Sequence, residues 1–181
     1  MKPRMSRARL AIQAADASHA PVLHALIAAC REDGRLLPRS LDDVVAHAER
    51  FAIALRGKRV VGCAELAPLG PRVAEVRSLA VDALERGRGV GALLVAERRH
   101  RARLDGYGRL CVFTHTPGYF SSMGFSIVPH LWLPEKIATD CVNCPRFRQC
   151  GQYAMVAHVG ALDVTESSAR DVPAASVARS A

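Results

Sequence analysis

Residues 77–102 read RSLAVDALERGRGVGALLVAERRHRA, an extended segment, a turn and an amphipathic helix in succession. In the turn Gly87, Gly89 and Gly91 alternate with Arg86, Arg88 and Val90. Glycine lets main chain approach an anion closely, and the first helical turn carries N–H groups with no partner inside the helix. A strand feeding such a turn and helix is therefore a cradle for phosphate. Arg86 and Arg88 add fixed positive charge beside it. Spacing narrows the ligand. A dinucleotide site wants GxGxxG after the first strand and an acid about twenty residues on, whereas these glycines fall as GxGxG after about the fourth strand. A nucleoside triphosphate site wants Lys followed by Ser or Thr after the last glycine, and neither is present. The pattern that fits is Arg/Gln-x-x-Gly-x-Gly/Ala, filled by Arg86, Gly89 and Gly91.

The rest of the chain supplies a sheet for this unit. A first strand is expected at Ala8–Ala14, then a helix capped by Ser18 and running to Arg31 with Val22, Leu23, Leu26 and Ile27 inward. Ser40 caps a short helix that opens with Asp42 and Asp43. Phe51–Leu55 and Val60–Leu66 read as strands joined at Gly57 and Lys58, and PLGP, residues 68–71, as the next turn. The fourth strand spans about Val73–Val81, and its period of two puts Glu75, Arg77 and Leu79 on one face, Ala74, Val76 and Ser78 on the other. RLCVFT is a fifth strand, Pro117–Met123 a short helix stopped by Gly124, and Phe125–Val128 and Tyr153–Val159 two last strands around an irregular segment. The alanine- and serine-rich tail from Gly160 is expected to be disordered.

Element order, the turn and the phrase YFSSMGF together resemble the GNAT N-acetyltransferase superfamily. LLPRS at 36–40, EVRSLAV at 75–81 and LPEKIATDCVNCPRFRQC at 133–150 narrow the resemblance to the short, stand-alone N-acetylglutamate synthases, over residues 8–159. The resemblance implies an α/β GNAT acetyltransferase fold, a mixed central sheet flanked by helices, that uses acetyl-CoA as co-substrate and requires no metal. It implies acetyl transfer to the α-amine of L-glutamate or L-glutamine, the first step of arginine biosynthesis, and suggests a homodimer. In the resembled fold the end of the fourth strand splays from its neighbour, which leaves the main chain of Leu79, Ala80 and Val81 free for the pantetheine arm. Arg86, Gly87, Arg88, Gly89, Val90 and Gly91 then hold the pyrophosphate. A peptide or small-molecule amine is the alternative acceptor.

Acetyl transfer also needs a deprotonated amine and a proton for the leaving thiolate. Glu75 is the leading base, since superfamily members that use a carboxylate often carry it at this place on the strand; a salt bridge to Arg77 is the competing reading. His115 is a second base candidate, against a surface role. Tyr119 lies one residue before the place of the superfamily's general-acid tyrosine, about 100° around a helix, so it is assigned packing beside Phe120. Arg39, Arg77 and Lys136 are the candidates for the acceptor's carboxylates, against solvated surface positions.

A net charge of +8 raises nucleic acid and membrane as partners, but the arginines are scattered without interleaved aromatics, and a polyanionic cofactor with an acidic substrate accounts for the same bias. No apolar run approaches the roughly 18 residues of a membrane span, and MKPRMSRARL lacks the apolar centre of a secretion signal, so a cytoplasmic protein is expected. Cys30, Cys63 and Cys111 sit in apolar runs and read as core residues. Cys141, Cys144 and Cys150 are spaced CxxCxxxxxC. They form either a reduced cluster, a redox pair, or three zinc ligands awaiting His130, His158 or a second chain; the zinc form would make a basic knuckle for nucleic acid.

Overall fold

The computed structural model describes residues 9–31 and 36–160; Ala8 and the expected tail from 161 onward lie outside them. The chain begins with β1 (Leu10–Ala14). Asp16 accepts from Ser18 N and pairs with His19 in a capping box, starting a 3-10 turn that runs into α1 (Ala20–Arg31). The cap thus falls on Asp16 and not on Ser18, because a carboxylate two residues earlier satisfies the same N–H groups. On α1, Leu23 and Ile27 are buried, while Val22 faces outward. Ser40 does cap α2 (Leu41–Ala46), accepting from Asp43 N.

The hairpin β2 (Phe51–Arg56) and β3 (Arg59–Gly70) turns at Gly57 as its sequence requires. Contrary to expectation, Pro68–Gly70 continues β3, because β4 (Val73–Val81) pairs with it as far as Gly70↔Val73. After β4 come α3 (Val90–Leu104), β5 (Arg109–Thr114), α4 (Pro117–Ser121) and β6 (Ser126–Val128). The segment expected to be irregular contains α5 (Pro134–Thr139) and three 3-10 turns before β7 (Tyr153–His158). Proline at the first helical position suits α5, since its missing N–H would have no partner there.

The seven strands form one sheet in the order β1-β2-β3-β4-β5-β7-β6, antiparallel except for β4 against β5. Alternation along β2 and β3 divides the core. Ala52, Ala54 and Ala64 face Val90, Leu94 and Val95 of α3 and Phe120 of α4. Phe51, Ile53 and Cys63 face Leu23 and Ile27 of α1 and Val44 of α2. On that second face a smaller group, Val73, Cys111 and Ala154, packs on Leu133 ahead of α5. Leu94, Leu23 and Leu133 are fully buried, and each contributes about 1.5–3 kcal/mol.

Two irregularities in β4 position the site. The parallel ladder to β5 covers only Val73, Ala74 and Glu75, after which the two strands diverge. On the other side Cys63 pairs with Ala80 but Glu65 with Arg77, so β4 carries one extra residue, a bulge, with Ser78 at φ 48°. The bulge resets the alternation. Leu79 and Val81 turn to the α3 face with Ala74 and Val76, while Ala80 joins the α1 face. Strict period two had placed Leu79 with Glu75 and Arg77, and the bulge is why it is elsewhere.

Candidate active site

A cleft of about 1350 Å³ opens where β4 and β5 part. It is lined by both ends of the divergence, Glu75 to Leu79 on β4 and Val112 to Thr114 on β5. One wall is the turn before α3. Gly87 and Gly89 have φ 74° and 78°, values that other residues resist, and Gly89 caps the helix with no side chain. The first helical backbone bond accepted by Gly89 comes from Leu93, so the N–H groups of Val90, Gly91 and Ala92 precede the ladder and point from the positive end of a 15-residue helix. A side chain at Gly91 would collide with the Tyr119 hydroxyl, which therefore hangs over this first turn. Burial raises the pKa of that phenol. Its ring also meets Phe120 edge-on at 5.2 Å, the packing role expected of it.

The turn is anchored from outside. Glu85, almost fully buried, accepts from Arg56 at 2.7 and 3.1 Å, and Asp82 accepts from Leu84 N and pairs with Arg59 at 2.7 Å. Arg86 folds back, its Nε donating to the Val81 carbonyl at 3.1 Å and its Nη2 to Cys30 Sγ at 3.5 Å. Arg86, Gly87, Gly89, Val90 and Gly91 line the cleft with Leu79 and Val81; Arg88 and Ala80 do not, and Ala80 is buried.

The opposite wall is made of charges on the α1 face of the sheet. Alternation along β3 puts Glu65 after Cys63 on that face, and the register sets it opposite Arg77 of β4. Glu75 accepts from Arg77 Nε at 2.6 Å and from Lys136 Nζ at 2.8 and 3.0 Å. Asp140, at the end of α5, accepts from Lys136 at 2.8 Å and also from Arg77. Arg39 donates to Glu65 at 2.6 Å, to Ser78 Oγ at 3.1 Å and to Asp43, which His47 Nδ1 also meets at 3.0 Å. Burial works against the charges of Arg77 and Arg39, but Glu75 and Glu65 outweigh it, and both guanidinium pKa values are raised. Burial also pushes the Asp43 carboxyl up, yet Arg39 and then His47 hold it below the ordinary value.

Glu75, Arg77 and Lys136 thus meet in one cluster, and Arg39 stands in the adjoining one. None of the three cations is a solvated surface side chain. Glu75 is ion-paired with Arg77, as one reading of the sequence had it, and with Lys136 as well. Among the described residues its Oε1 accepts a single hydrogen bond and keeps a lone pair. His115 lines the cleft beside Gly151, away from this cluster's hydrogen bonds. Reading the sequence missed Glu65, Asp43, Asp140 and Glu85. Asp140 carried a signal, its i,i+4 spacing from Lys136.

Cys30, Cys63 and Cys111 are buried, and burial raises the Cys63 thiol to about 12. Cys141, Cys144 and Cys150 line the cleft rim as free thiols. Among the described residues no group of three or more His, Cys, Asp or Glu could hold a metal ion, and none of the helices is long and apolar enough to cross a membrane.

The model of the acetyltransferase (GNAT) family matches residues 21–125. An uncharacterised N-acetyltransferase of Chlorobaculum tepidum is 35% identical over 124 residues, 68% of this chain and 80% of that protein. The amino-acid acetyltransferase of Neisseria meningitidis is 32% identical over 133 residues, 72% of this chain and 30% of its own. Among solved structures, the N-acetylglutamate synthase of Neisseria gonorrhoeae, complexed with coenzyme A and N-acetyl-glutamate, has a TM-score of 0.76 and 28% identity, covering 85% of this chain and 36% of its own. The chain thus spans about a third of the length of the two Neisseria proteins.

Proposed function

The chain belongs to the acetyltransferase (GNAT) family, and on that premise we propose that it moves the acetyl group of acetyl-CoA to the α-amine of L-glutamate or L-glutamine. The observation that carries this reading is the divergence of β4 from β5 beside the open first turn of α3. It sets main-chain donors on one side of a cleft and a converging set of cations on the other. A diphosphate suits the first and an amino acid's carboxylates the second. The similarity to amino-acid acetyltransferases supports the choice of acceptor.

In the proposed reaction the free amine attacks the thioester carbon, the C–S bond breaks, the new amide nitrogen gives its extra proton to solvent, and the thiolate leaves with a proton from solvent. The first turn of α3 holds the cofactor's diphosphate, the unpaired edge of β4 receives its pantetheine arm, and Oε1 of Glu75 takes the proton that the ammonium must lose. Arg39, Arg77 and Lys136 hold the acceptor. Residues 8–159 form the catalytic unit, working in the cytoplasm, where free amino acids and acetyl-CoA are both available.

The test is thiol release from acetyl-CoA across a panel of single amino acids. Glutamate or glutamine should give the highest kcat/KM. Release with neither, alongside release with a peptide or a simple amine, would move the activity to the alternative acceptor.

A further inference from the structure

The cations of the charged wall share a pattern that the reaction itself does not require. Each is held by one buried carboxylate from the sheet and one carboxylate at the cleft rim. Arg77 and Lys136 are held by Glu75, whose side chain is 5% exposed, and by Asp140, 37% exposed. Arg39 is held by Glu65, 2% exposed, and by Asp43, also 37% exposed. The buried acids sit on β3 and β4 and cannot leave without stranding a charge. The rim acids lie on or just past six-residue helices, α2 and α5, and have water to turn to. Because Glu65 pairs with Arg77 across β3 and β4, the two clusters are neighbours along one wall of one cleft.

The rim acids set the net charge of each cluster. Without Asp140 its cluster carries +1, from Arg77 and Lys136 against Glu75; with Asp140 it is neutral. Without Asp43 the other is neutral, from Arg39 against Glu65, and with it carries one negative charge. A carboxylate entering beside Arg77 or Arg39 therefore meets a position already filled by a carboxylate. It binds by taking that position, not by finding an idle cation.

We propose that Asp140 and Asp43 are built-in stand-ins for the two carboxylates of a dicarboxylic acceptor, holding Arg77, Lys136 and Arg39 in place and giving way when the acceptor binds. The proposal rests on the amino-acid acetyltransferase reading and deepens it. Glutamate displaces both rim acids, whereas glutamine, with one carboxylate, displaces one.

Asp140→Asn and Asp43→Asn keep size and remove charge, and each should lower the glutamate KM about tenfold, a shift of about 1.4 kcal/mol, with kcat changing by less than that factor. One of the two should lower the glutamine KM as well and the other should leave it unchanged. Merely structural residues would not give variants with a higher kcat/KM. Calorimetry with glutarate, a dicarboxylate without an amine, should show tighter binding to both variants than to the wild type. A glutamate KM that rises or stays put in either variant, or unchanged glutarate binding, overturns the proposal. If the wild type turns over neither amino acid, the functional reading has failed, and the glutarate measurement still decides this one. Serine replaces asparagine if either variant fails to fold.

Discussion

The α3 wall of the cleft meets its ligand with main-chain N–H groups from one contiguous turn, whereas the facing wall uses side chains from β3, β4, α5 and the region of α2. The first wall depends on conformation: two glycines at positive φ and a helix end. The second depends on partners, since every cation in it is held by at least one carboxylate distant in sequence, 61 residues for Lys136 and Glu75 and 26 for Arg39 and Glu65. A backbone site tolerates changes in side chains around it and fails when the chain cannot take the required φ. A charge cluster tolerates small shifts of the chain and fails when one member is removed. The two walls should therefore break in different ways.

The largest effect belongs to the charged wall. Glu75→Ala removes the buried carboxylate shared by Arg77 and Lys136, and we expect a loss of about 3–5 kcal/mol in denaturant unfolding, the usual cost of leaving buried charge unpaired. Glu75→Gln keeps the shape and should cost less stability while lowering turnover more than acetyl-CoA affinity. A loss under about 1 kcal/mol for the alanine variant would mean that this wall is no coupled unit. An unchanged pH–rate profile in the glutamine variant would remove Glu75 as proton acceptor.

Next comes the conformational wall. Gly89→Ala meets no neighbouring atom within 4 Å, so its whole cost is the left-handed backbone, about 1–2 kcal/mol. Distortion of the turn should weaken coenzyme A binding about tenfold in a titration, given the 1.4 kcal/mol per decade of affinity, and leave the glutamate KM within error. Equal loss for cofactor and acceptor would show that the walls are not separate.

The same contrast explains what the sequence made legible. The turn was readable because its residues are adjacent, its glycines alternate, and strand and helix flank it. Glu75 and Arg77 were readable from period two, but the bulge at Ser78 was not, since no glycine marks it, and Leu79 was put on the wrong face for that reason. α5 was hidden because six residues carry too little periodicity to register, even with Pro134 at its first position; buried Leu133 secures it through a tertiary contact. Glu65 acquires its role only when distant strands and helices meet, and no local pattern announces that; the spacing of Asp140 from Lys136 announces that one pair but not the pairing with Arg77, 63 residues away.

A smaller effect follows from Asp43. Its folded pKa lies below the ordinary 3.8, so its pairing with Arg39 stabilises the protein above that pH and is lost as pH falls through the folded value. Below pH 3.8 the wild type should lose stability more steeply than Asp43→Asn in acid titrations of unfolding. The difference should be modest and should shrink further in salt, since the carboxyl is 37% exposed and solvent screens it.

The smallest effect is the most discriminating, because it is the absence of one. If the walls are independent, Gly89→Ala and Lys136→Met act on different ligands through different contacts, and the double variant's unfolding free energy should equal the sum of the single changes within about 0.5 kcal/mol. The α3 turn is anchored by Arg56 and Arg59 from the β2–β3 hairpin, and Lys136 by Glu75 and Asp140, so no carboxylate is common to both. They do share β4, whose Val81 carbonyl takes the Arg86 guanidinium and whose Glu75 takes Lys136. A coupling above about 1 kcal/mol would therefore identify that strand as the carrier, with the bulge at Ser78, between the two ends, as the place to look. Additivity would mean instead that the bulge absorbs strain from either end, and that the sheet keeps the cofactor and acceptor halves of the cleft mechanically apart.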